Sequence, residues 1–231
     1  KRADIGISMG LRGADVARDS SDMVLLDDNF ASIVGAVREG RKVFANLKKS
    51  IKFLLSENAA QIFIVMVALL IGMPLPFLPL MILWMNLVTD SLPALAFAVE
   101  PVDGVMKRNP RSDGLLGGIW GTILVAGLLN FVSVMIIFNY GIGNFGLDIA
   151  RTMAISTCIF FALFFAFACK SEKSLLKTGI LNNKYLIGAV VLSFGLHLIA
   201  IYSSLGSVLG MVSLTGMQLG ISVLAGLSGL I

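Results

Sequence analysis

The chain is poor in charge. Asp, Glu, Lys and Arg make up only 14% of its 231 residues, against 57% that are hydrophobic. Soluble domains carry roughly 25% charged residues, so a single water-soluble globule is excluded, and intrinsic disorder with it. Cysteine occurs twice, as Cys158 and Cys169 in or beside an apolar run. Two such thiols make neither a disulfide framework nor a metal-ligand cluster, and both read as buried and inert. The net charge is +4, but its distribution suits a membrane better than DNA, and no nucleic-acid partner is expected. No signal-peptide pattern opens the chain, which starts Lys1-Arg2-Ala3-Asp4 ahead of a polar segment.

What is present is apolar sequence in long runs. Ten of the 18 Lys and Arg residues fall within residues 1–52, and the rest of the chain is broken only by short polar stretches. A spanning helix needs about 20 apolar residues. Six stretches qualify or nearly do: Phe53–Ile71, Leu78–Val99, Ile119–Phe138, Thr152–Ala168, Tyr185–Ser203 and Leu214–Ile231. The fold class expected is therefore mostly α, a multi-span helical membrane protein in a lipid bilayer, with a short α/β segment at its start. Loops carrying Lys107, Arg108 and Arg111, and then Lys170, Lys173, Lys177 and Lys184, alternate with base-poor loops. By the positive-inside rule both basic loops and both termini are cytoplasmic.

The first segment reads strand, helix, strand, helix. Ile5–Met9 and Asp22–Leu26 are short apolar runs, Leu11–Ser20 lies between them as a helix, and Asp27-Asp28-Asn29 caps a second helix from Ala31. Two strands cannot bury an α/β core alone, so this is expected to be the edge of something larger. No proline interrupts residues 41–52, and Val43, Phe44, Leu47, Ile51 and Leu54 recur at helical spacing. The second helix is expected to run on into the first span.

Inside the membrane each polar residue is costly and so informative. Glu57, Asn58 and Gln61 fall together in the first span; Asn86, Thr89 and Asp90 fall together in the second. Pro93 has no N–H for the carbonyl of Thr89, so it loosens the helix there and frees carbonyls that can face a cavity. Amide, hydroxyl, carbonyl and carboxylate oxygens make a hard-cation site suited to Ca²⁺. The other reading of the same residues is hydrogen bonding between two packed helices.

These residues carry a resemblance. Ala3-Asp4-Ile5-Gly6-Ile7-Ser8-Met9-Gly10 and Met23-Val24-Leu25-Leu26-Asp27-Asp28-Asn29-Phe30 resemble the end of the phosphorylation domain of P-type cation ATPases. Leu83-Trp84-Met85-Asn86-Leu87-Val88-Thr89-Asp90-Ser91-Leu92-Pro93 is similar to the sixth transmembrane helix of the calcium-pump branch. The resemblance implies that residues 1–40 are the C-terminal remnant of the phosphorylation domain. Residues 41–231 are then the transmembrane domain with its cytoplasmic stalk, the spans being helices five to ten of ten. It implies metal ligands at Asn58, Gln61, Asn86, Thr89 and Asp90. Glu57 would be an extra ligand, a proton-carrying group or a counter-charge for Lys52.

Two departures from the family pattern bear on the ion count. Gln61 and Ala162 stand where the two-calcium pumps have glutamates, which implies one Ca²⁺ per cycle. Helices one to four, the actuator domain and the nucleotide domain, with the Asp-Lys-Thr-Gly-Thr motif, are not in this sequence. The resemblance therefore makes them missing partners: Mg²⁺ and ATP belong to the intact protein only, and this chain alone is inactive. It also implies a multi-pass protein of the plasma membrane if the source is prokaryotic. The alternatives are a pump for Mn²⁺ or for Na⁺ and H⁺, or a non-catalytic membrane scaffold derived from such a pump.

Overall fold

The computed structural model describes residues 4–102, 104, 106, 114–170 and 183–230. It divides into two compact units, the first built mainly from Lys1–Ala45 and the second from Asn46–Pro101 and Arg111–Ile231. In the first, strands β1 (Ile7–Met9) and β2 (Met23–Leu25) pair in parallel, with Ile7 opposite Met23 and Met9 opposite Leu25. Helix α1 (Asp15–Asp19) makes the crossover, with Arg18 paired to Asp15.

The expected helix over Leu11–Ser20 is thus cut to five residues. The cause is distant in sequence. The Asp28 carboxylate accepts the backbone N–H groups of Leu11 and Arg12, both at 2.8 Å, and holds them in a loop. Asp28 itself takes a positive φ of 51°. Gly10 donates to the Leu25 carbonyl at 2.8 Å, an approach so close that a Cβ on Gly10 would lie 2.8 Å from the same oxygen. The helix start is built by the neighbours of Asp28: Asn29 Oδ1 accepts from Ala31 N at 2.9 Å, and Asp27 accepts from Asn29 N at 3.1 Å and from the Ser32 hydroxyl at 2.7 Å. Those bonds to the charged form hold the Asp27 carboxyl below its ordinary value.

Helix α2 runs from Ala31 to Leu70 without a break, 40 residues or about 60 Å at 1.5 Å per residue. Next come α3 (Pro79–Trp84), a π-helical turn (Met85–Asp90), α4 (Ser91–Ala96) and a 3₁₀ turn (Phe97–Val99), continuous as one stretch from Pro79 to Val99. Helices α5 (Trp120–Phe145), α6 (Leu147–Cys169) and α7 (Lys184–Tyr202) follow, then the short α8 (Ser204–Leu209) and α9 (Gly216–Gly226).

Five of these stretches are long and apolar enough to cross a membrane: α2, Pro79–Val99, α5, α6 and α7. The sixth expected span, residues 214–231, is shorter. Its helix starts only at Gly216, where the Thr215 hydroxyl caps Gln218 and Gln218 answers to Thr215 N, and it tightens to a 3₁₀ turn at Leu227. Among the described residues the protein is therefore a helical membrane protein with five helices of spanning length and a two-stranded parallel sheet. Of the basic loop residues that carried the expected orientation, Lys107, Arg108, Arg111, Lys173 and Lys177 lie outside the described residues.

Helix α6 is the central post. In its most apolar window 83% of residues are buried, against 28–39% in the other four spans, where leucines such as Leu69, Leu83, Leu128 and Leu192 are exposed. Phe160, Phe161 and Phe165 fill the space around it, Phe165 stacking on Phe53 of α2 at 6.3 Å between ring centres. Gly226 and Gly229 bring the last helix against the backbone of α6, as small residues do where membrane helices pack closely. Cys158 and Cys169 are buried free thiols.

Candidate cation site

The polar residues of the first two spans meet around Gln61, 5% exposed on the buried face of α2. Its Nε2 donates to Asp90 Oδ2 at 3.4 Å, and its Oε1 accepts from Asn86 Nδ2 at 3.1 Å. Asn86 Nδ2 also reaches the Ile82 carbonyl at 2.9 Å. Thr89 donates to the Met85 carbonyl at 2.9 Å and lies 3.4 Å from Asp90 Oδ1. Gln61, Asn86 and Asp90 thus share one hydrogen-bond network between two helices, with Thr89 at its edge.

The local backbone explains why these side chains converge. Asn86, Thr89 and Asp90 all lie in the π-helical turn, wider than an α turn and common at functional sites. Pro93, buried in α4, supplies no N–H to close a normal turn on Thr89. The Ser91 hydroxyl donates to the Asn86 carbonyl at 2.7 Å, so one backbone oxygen of the widened turn is tied off by a side chain.

The remaining residues fall differently. Asn58 is half-buried, and its side chain makes no hydrogen bond among the described residues. Its neighbour Glu57 is the one that turns inward, 1% exposed, and it meets Asn130 of α5 rather than Lys52: Asn130 Nδ2 donates to Glu57 Oε2 at 2.9 Å. Asn130 Nδ2 also lies 3.6 Å from Cys158 Sγ on α6. Asn130 is not among the site residues expected from the sequence. The signal was there, a single amide within an apolar run, and the cost of burying polar groups in a membrane applies to it as to the others. Ala162 sits in an apolar cluster with Phe53, Phe97, Phe161 and Phe165, so α6 offers no oxygen at that level.

The charge count decides the chemistry. Glu57 and Asp90 are both buried, and neither forms an ion pair among the described residues. No three His, Cys, Asp or Glu side chains converge among those residues either. The donors available are two carboxylates with amide and hydroxyl oxygens, a set for hard cations and a poor one for soft transition metals.

Residues 74–231 match the family described as cation transporting ATPase, C-terminus. The chain belongs to that family. Among similar proteins are the calcium-transporting ATPase of Bacillus subtilis, 41% identical over 210 residues, 87% of this chain and 23% of that protein. Calcium-transporting ATPase 1 of Bacillus cereus is 40% identical over 213 residues, 83% of this chain and 24% of its own length. Calcium-transporting ATPase 8, plasma membrane-type, of Arabidopsis thaliana is 36% identical over 215 residues, 86% of this chain and 20% of that protein. The chain spans about a quarter of the length of these relatives or less. As a cation-ATPase C-terminal chain with five helices of spanning length, it is a multi-pass integral membrane protein.

Proposed function

We propose that this chain works as the C-terminal membrane part of an ATP-driven Ca²⁺ pump and carries much of its ion site. The observation that supports this best is the oxygen-rich network joining Gln61 of α2 to Asn86 and Asp90 of the π-helical turn, with Gln61 and Asp90 buried. Asn58 and Thr89 lie beside it and complete the proposed ligand set. A cation entering there exchanges the interhelical hydrogen bonds for metal–oxygen bonds, and the wide turn lets Asn86 and Asp90 reorient without breaking the helix. Nucleotide and Mg²⁺ chemistry falls to the parts that the similar ATPases have and this chain does not span. Residues 1–40 form the end of the phosphorylation domain in this reading, and residues 41–231 the stalk and membrane domain. Both termini face the cytoplasm, at the plasma membrane in a prokaryotic source.

One ion is carried per cycle. One divalent cation would neutralise the two carboxylates that Glu57 and Asp90 supply, and Ala162 adds no third. Equilibrium binding of radioactive calcium to the intact pump tests this. One ion per phosphorylatable site is expected in the wild type, and Asp90→Asn should abolish high-affinity binding, because a neutral amide no longer offsets dehydration of the ion. Unchanged affinity in Asp90→Asn overturns the site.

A further inference from the structure

We infer that Asn130 and Glu57 are direct ligands of the transported divalent cation, which brings α5 into a site otherwise built on α2 and the second span. The inference rests on the calcium-pump reading above. Asn130 is wholly buried, and its amide nitrogen is engaged by Glu57 Oε2 and by Cys158 Sγ, so the head group is held in one orientation. That orientation leaves Asn130 Oδ1 with no donor among the described residues. Glu57 is in the same condition: Oε2 accepts from Asn130, and Oε1 has no partner among the described residues. Two paired head groups, from two helices, therefore each present one buried acceptor that nothing among the described residues satisfies. Buried oxygens are almost always satisfied, and a single cation can coordinate acceptors from two helices at once.

The position fits as well as the chemistry. Glu57 lies four residues before Gln61 on α2, so the two side chains stack on one helix face one turn apart. Gln61 is in turn bonded to both Asn86 and Asp90. Hydrogen bonds thus join Asn130 to Glu57, and Gln61 to Asn86 and Asp90, with Glu57 and Gln61 one turn apart on α2. Cys158 orients the amide and is not itself a ligand, since a hard cation prefers oxygen. This also supplies what Ala162 does not: oxygens for the ion from a helix other than α2 and the second span.

The test compares Asn130→Leu and Asn130→Asp with Asp90→Asn in the intact pump, using radioactive calcium binding and the rise in Tm that Ca²⁺ produces. Asn130→Leu fills the same space without the oxygen and should weaken Ca²⁺ binding at least about tenfold. Asn130→Asp keeps an oxygen, adds a charge opposite Glu57, and should show a larger Ca²⁺-dependent rise in Tm than the wild type. A purely structural Asn130 predicts no such gain. If Asp90→Asn loses binding while a folded Asn130→Leu keeps wild-type affinity, the role of Asn130 is overturned and the pump reading stands. If Asn130→Leu does not fold, Asn130→Asp decides: a Ca²⁺-dependent rise equal to the wild type's overturns the inference. Wild-type affinity in Asp90→Asn overturns the calcium reading and this inference together.

Discussion

Replacing Gly226 by alanine should loosen the last helix from α6. A Cβ at that position would lie 2.6 Å from Phe160 Cβ, 2.9 Å from Phe161 N and 3.0 Å from the Phe160 carbonyl carbon. Two of those three atoms are backbone of the most deeply buried helix, so the neighbour cannot swing aside and the helices must separate. Overpacking of this kind costs about 1–3 kcal/mol. Gly220, in the same helix, is the control, because a Cβ there meets nothing within 4 Å. Alanine gains up to about 1 kcal/mol of helix propensity at the interior Gly220 and less at Gly226, the last residue of α9, so the clash is read as the loss beyond that difference. Reversible unfolding in mixed micelles, followed by circular dichroism, should place Gly226→Ala about 1–3 kcal/mol below Gly220→Ala. Equal stabilities would show that α9 does not pack on α6 as described.

Asp28→Ala should release Leu11 and Arg12 and put an ordinary side chain at a positive φ, costing the first unit about 1–2 kcal/mol. Amide hydrogen exchange checks it, and undiminished protection of those two N–H groups would refute it. Asp27 titrates below its ordinary value of 3.8, chiefly through the Ser32 hydroxyl. Its stabilising contribution is thus complete above that value and is lost as the pH falls through the lowered one. Carboxyl carbon NMR should see the Asp27 titration move back toward 3.8 in Ser32→Ala, and an unmoved curve would remove Ser32 as the cause.

The spans were legible because their signal is local: twenty apolar residues are needed whatever else the chain does, and α5, α6 and α7 sit where the hydropathy put them. The parallel strands were also legible from short apolar runs around a turn. What escaped was set by contacts distant in sequence. Nothing near Leu11 announces that Asp28 will capture its N–H. Spacing put both Glu57 and Asn58 close to the face of Gln61, and only the packing of α5 decides that Glu57 is the one turned inward. Asn130 was passed over because an isolated amide has no partner visible in sequence; its partner is 73 residues away. The last helix read as a span from composition, while Thr215 and the 3₁₀ turn at Leu227 set its length by local geometry.

The π-helical turn has a consequence for how this chain tolerates change in length. Met85–Asp90 can be regarded as an α-helical turn holding one residue more than it needs. Deleting a single residue there closes the turn and leaves α3 and α4 helical, with no loop to rebuild; the Thr89 carbonyl stays without a partner, because Pro93 has no N–H. The same deletion removes the wide turn on which Asn86, Thr89 and Asp90 are gathered, and with it the placement that lets Gln61 bond both Asn86 and Asp90. Reading-frame-preserving deletions in this stretch would thus separate two properties that point mutations confuse, giving a protein that inserts and folds normally and has lost its grip on the ion.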